Sequence, residues 1–164
     1  MSLITRLANG TAVCGGIILI LLALMTLVSI LGRALFSMPV PGDYELMEAG
    51  CAIAAFAFLP YAQVTGHHII VAFFSRHWPA TVCLFLDTVA HLTFSFIAAL
   101  LFWRAAHGGL NFYRDGDTSM ILAIPVWWAF PAIVFCLAVL ILTCLQSAYS
   151  SWQQLKTHPA GSPR

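Results

Sequence analysis

The chain has 164 residues, of which 61% are hydrophobic and only 8% are Asp, Glu, Lys or Arg, with a mean hydropathy of +0.92. A water-facing domain carries about 25% of such charged residues, so a soluble enzyme and a disordered chain are both excluded. Seven basic residues against six acidic ones leave a formal net charge of +1, with no basic patch to neutralise phosphates and hence no nucleic-acid partner.

The charges divide the chain. None falls between Arg6 and Arg33, between Glu48 and Arg76, or between Asp117 and Lys156. A membrane-spanning helix needs about 20 mostly apolar residues, and each gap can hold one. Helix one is expected over about residues 12–35. Its twelve Leu, Ile or Val residues between Val13 and Leu31, at about 0.3–0.6 kcal/mol each, favour insertion by roughly 4–7 kcal/mol. Arg6 before this run imitates a secretory signal, but the run far exceeds a signal core and no A-x-A site follows, so a retained signal anchor is expected.

Helix two is expected over about residues 45–64. Pro41-Gly42-Asp43 precedes it, Asp43 is placed to cap it, and Glu45 and Glu48 suit the positive end of its dipole. Pro60 predicts a kink. His67 and His68 follow Gly66 at the helix end, where interfacial solvation accounts for them. The apolar stretch from His68 to Trp78 is too short to span, and Arg76 and His77 near its end make it a candidate for a short interfacial helix between helices two and three.

Helix three is expected over about residues 79–103, with Trp78 and Trp103 bracketing it. Asp87 interrupts it and takes back roughly 2.5–3.5 kcal/mol. Asp87 and His91 are four apart, on one face and about 6 Å from each other. They suit a packing or partner contact better than a proton relay, because no other span carries an acid at depth. Helix four is expected over about residues 125–149, with a kink at Pro131 and with Trp127 and Trp128 in the aromatic belt. Residues 155–164 form a polar flexible tail behind a single four-helix domain, 1–154.

The fold class is therefore all-α, an integral membrane protein with four transmembrane helices, since an open sheet would leave backbone groups unpaired in lipid. Arg6, Arg76, Lys156 and Arg164 on one side outnumber Arg33, Arg104 and Arg114 on the other, which places both termini in the cytoplasm. Cys14, Cys51, Cys83, Cys136 and Cys144 lie in apolar segments without a C-x-x-C pair and serve as small apolar fillers. Nothing resembles a nucleophile–base pair, a P-loop or a glycine-rich phosphate cradle.

In order, these pieces resemble the small membrane subunit of tripartite ATP-independent periplasmic (TRAP) transporters, the DctQ-like type. The resemblance rests on Arg33 at the end of helix one and on Pro41-Gly42-Asp43-Tyr44-Glu45-Leu46 opening helix two. It continues with Gly66-His67-His68-Ile69-Ile70-Val71, and with Ser119 to Trp128, similar to the family's S-x-x-L-x-I-P-x-W-W. Where the family often reads H-I-R-V-D, this chain has Ile70 and Ala72 in place of the basic and acidic residues. The resemblance implies a non-catalytic scaffold in the bacterial inner membrane, without cofactor, metal or substrate site. Its partners would be a large multi-span permease subunit, a periplasmic substrate-binding protein and membrane lipids. The complex would import an organic acid, such as a C4-dicarboxylate or sialic acid, coupled to sodium. Interface residues implied for partner or lipid are Arg33, Asp43, Glu45, Glu48, His67, His68, Asp87, His91, Pro125, Trp127 and Trp128. Two other classes stay open: a four-helix b-type haem protein, suggested by six histidines, and an unrelated membrane accessory subunit.

Overall fold

A computed structural model describes residues 3–37, 40–65 and 80–157, without the side chains of residues 3, 80–87, 151, 152 and 154–157. Among the described residues four long helices form, α1 (Leu3–Phe36), α2 (Asp43–Thr65), α3 (Ala80–Asp115) and α4 (Ala129–Thr157), and a 3-10 turn, Val126–Trp128, leads into α4. All four are long and apolar enough to cross a membrane. Among the described residues there is no strand, only an isolated antiparallel bridge between Thr118 and Pro125. His67, His68 and the proposed interfacial helix lie outside the described residues.

Small residues let the helix axes close up. A Cβ on Gly15 would stand 3.0 Å from Ala57 Cβ and 3.3 Å from the Ala54 carbonyl, which seats α1 against α2. A Cβ on Gly109 would come 2.7 Å from Phe130 Cβ, which seats α3 against α4. Packing runs in the order α1–α2–α4–α3: α1 lies on α2, α2 on α4 and α4 on α3, with a lesser contact of α1 on α4. The described parts of α2 and α3 barely meet, so among the described residues the helices form an open row and not a closed square bundle. The core sits on α4, where Leu137, Leu140, Thr143 and Cys144 are almost wholly buried. Leu and Ile residues of α1 such as Ile20 and Leu21 point outward, as a helix solvated by acyl chains allows.

Helix ends depart from the charge pattern. Residue 104 carries a charge, yet α3 continues three turns past Trp103 to Asp115, because Phe130 packs onto Gly108 and Gly109 and the intervening Ala105 and Ala106 favour helix. Trp103 is thus inside the helix and does not bracket it. The later start of α4 places Pro131 in its first turn, where a missing N–H has no helical partner to lose, so the reason for a kink there disappears. Asp43 is not a side-chain cap either. The Gly42 carbonyl accepts the first helical bond, from Leu46 N at 3.1 Å, and Asp43 is the next residue, with one oxygen on Tyr44 N and the other on Ser29.

Candidate functional site

The end of the row that carries the α1–α2 and α3–α4 loops is held by α2. Asp43 Oδ2 accepts the Ser29 hydroxyl at 2.6 Å, which ties α1 to α2, while Oδ1 accepts Tyr44 N at 2.9 Å. Glu45 reaches across to the other hairpin. Its two carboxylate oxygens accept the backbone amides of Ile121 (2.9 Å) and Leu122 (3.1 Å). The loop so held closes on itself through Ser119 N to Ile124 O (2.9 Å) and Val126 N to Asp117 O (3.1 Å). Gly42, at φ +78°, lies under Leu122. Pro125 shares the bridge with Thr118, and Trp127 stands edge-on to Tyr113, ring centroids 5.3 Å apart. Trp128, Arg33 and Glu48 are exposed.

The other end of α2 carries a second tie. Gln63 Nε2 lies 2.8 Å from Nδ1 of His91, which is 4% exposed. The Nε2–H tautomer of His91 accepts a hydrogen bond from the Gln63 amide at Nδ1. Thr88 and Ser95 are buried on the same side of α3. Gln63 carried no signal in the sequence beyond being an amide within an apolar run. Asp87 is in the helix four residues before His91, but its side chain is outside the described residues. Glu45 and Gln63 are separated by about 27 Å along the axis at 1.5 Å per residue, so α2 is fastened to the second hairpin near both of its ends. Replacing Gln63 and His91 by leucine, singly and together, should give a coupling of about 0.6–1.7 kcal/mol in thermal unfolding in detergent; a coupling of zero would mean the contact does not form.

Between the two ties, α2 and α3 stand apart and leave a groove of about 560 Å³. Arg104, Gly108, Asn111 and Asp115 run along its α3 wall, and Phe56 and Leu137 line the other side. Phe112 packs on Phe130 and Tyr113 on Trp127. Carried along in the same antiparallel register, Arg104 comes level with Cys136 and Leu137, near the middle of the apolar span Val126–Ser150. The charge pattern set Arg104 beyond helix three; the fold puts it inside α3, level with the apolar middle of α4, and an arginine at the centre of a span costs roughly 2.5–3.5 kcal/mol on the insertion scale.

The arrangement fastens α2 to α1 and to the second hairpin. Among the described residues no three of His, Cys, Asp or Glu gather as a metal site requires. His91 and His107 lie on one helix about 24 Å apart, so they cannot face each other across a haem.

Residues 22–154 match the family model for the DctQ component of tripartite ATP-independent periplasmic transporters. The chain belongs to that family. No curated protein and no solved structure matches it. As a DctQ component it is the small subunit of a TRAP transporter and a multi-pass membrane protein. The match takes in α2, α3 and most of α4, including the Glu45 and Gln63 ties and the groove.

Proposed function

We propose that this DctQ component is a non-catalytic scaffold. It binds the large permease subunit in the bacterial inner membrane and supports sodium-coupled uptake of an organic acid delivered by a periplasmic binding protein. The observation that carries this reading is the open row α1–α2–α4–α3. An isolated bundle would close to bury its seams, whereas a row spends its length presenting apolar faces sideways in the bilayer. Both ties of α2 fasten it to the second hairpin. In this reading Arg33 and Glu48 meet headgroups or a partner at one face, His67 and His68 mark the other, and Asp87 extends the polar contact of His91.

Both termini are cytoplasmic in this reading. With Arg104 inside a span, four basic residues (Arg6, Arg76, Lys156, Arg164) stand on the terminal side against Arg33 and Arg114 on the other, which strengthens the positive-inside bias. The Glu45 loop then faces the periplasm, where the binding protein would arrive.

Deleting this chain from cells that retain the large permease and the binding protein should abolish uptake across a panel of labelled C4-dicarboxylates and sialic acid, and a plasmid copy should restore it. Uptake at the wild-type rate in the deletion strain would end the obligatory-subunit reading.

A further inference from the structure

The guanidinium of Arg104 has no acid of its own chain within reach. The chain holds six Asp and Glu residues, and each is elsewhere. Asp115, on the same groove wall, is eleven residues further along α3, about 16 Å by helical rise. Asp87 is seventeen residues back, about 25 Å. On the opposing helix Glu48 is eight residues from Phe56, about 12 Å, and Asp43 and Glu45 lie further on still. Asp117 is in the loop beyond Asp115. Among the described residues Arg104 forms no ion pair, and it is exposed in the groove.

A charge inside a span faces protein or water and pairs with an opposite charge where one is offered, and among the described residues none stands beside Arg104. A phospholipid could lay an acyl chain along Phe56 and Leu137, but its phosphate belongs at the level of Trp127 and Tyr113. That is nine residues, or about 13 Å, from Arg104, and an arginine stem covers only part of the distance. At the level of Arg104 itself, lipid supplies only hydrocarbon. The wall beside Arg104 is built from Ala105 and Gly108, residues small enough for a second helix to come close, and Leu101 beside them is 40% exposed.

We propose that the groove between α2 and α3 receives a membrane helix of the large permease subunit, and that an acidic side chain on that helix pairs with Arg104. The proposal rests on the scaffold reading above and names the contact through which the scaffold holds its partner. A buried guanidinium–carboxylate pair fixes depth and rotation of the incoming helix, which apolar packing alone leaves free to slide.

The test uses the two subunits co-expressed. Wild type, Arg104→Lys and Arg104→Leu are extracted in mild detergent, the abundance of each variant in the membrane is measured, and the large subunit retained with it is quantified. A photo-crosslinking residue at Leu101 of the wild-type chain identifies what occupies the groove. Arg104→Leu should reach the membrane at normal levels yet retain the large subunit at least tenfold less, with Arg104→Lys in between. The crosslink should fall on a spanning segment of the large subunit within a turn of an Asp or Glu. Equal retention by Arg104→Leu, a crosslink to phospholipid alone, or a crosslink to a segment lacking an acid would each overturn the proposal. Should Arg104→Leu fail to accumulate, the wild-type crosslink decides the matter. Wild type that retains no large subunit at all would instead overturn the scaffold reading, and the pairing with it.

Discussion

Gly42→Ala is expected to destabilise the detergent-solubilised protein by about 2–5 kcal/mol. Two costs add. At φ +78° an L side chain is strained by about 1–2 kcal/mol. A Cβ there would also fall inside the isobutyl group of Leu122, 2.5 Å from Cδ1, and overpacking of that kind costs about 1–3 kcal/mol. Gly116 is the matched control. It has φ +69° but nothing within 4 Å, so Gly116→Ala should show the strain alone. The double variant Gly42→Ala/Leu122→Ala should recover the steric part and fall to the level of Gly116→Ala. Cys136 and Cys144, buried on α4, report unfolding through a thiol-reactive dye over a temperature ramp. Equal losses for Gly42→Ala and Gly116→Ala would show that Leu122 does not sit over Gly42.

How far the fold could be read from the residues depended on what the solvent is. Charge-free gaps such as 7–32 and 118–155 exposed the four helices, because an ion inside a span is costly and the penalty is written in composition. Their ends were less legible. Arg104 looks like the close of a helix because charge normally marks the interface, yet the helix runs on to Asp115 with the arginine turned into a groove. The packing order α1–α2–α4–α3 left no trace. In lipid a face against acyl chains and a face against another helix are both apolar, so helices such as α1 show little asymmetry around their axes. Of the expected interface residues, Asp43, Glu45 and His91 proved to hold the chain's own helices together. Each was recognisable as a polar group in an unusual place, but its partner was not: Ser29 lies 14 residues from Asp43, Gln63 lies 28 from His91, and Ile121 lies 76 from Glu45. A first-turn glutamate is already explained by the helix dipole, and that sufficient local reason hid the long-range one.

Glu45→Leu is the second large effect, and its signature is local. Losing both acceptors leaves the amides of Ile121 and Leu122 without protein partners and open to water. Amide exchange at those two residues should therefore accelerate by about tenfold or more. Glu45→Gln keeps one oxygen and should fall between. Glu45→Asp is one methylene short and should lose at least one bond. The loop also stores strain that this carboxylate holds in place, since Ala123 is left-handed at φ 53°. Once released, residues 119–124 should relax together, so the Ser119–Ile124 bond should open as well and exchange at Ser119 should rise in step. The opposite end of α2 is the internal control: Gln63 and His91 are about 27 Å away along the axis, and the helical amides around them should not change. If Ile121 and Leu122 kept their protection in Glu45→Leu, the carboxylate would not be what holds the loop. Loss of protection along the whole of α2 would instead mean that Glu45 supports the helix and not the crossing. Only a change confined to the loop agrees with a row whose two hairpins are fastened by α2 at each end, leaving the Arg104 groove open between the fastenings.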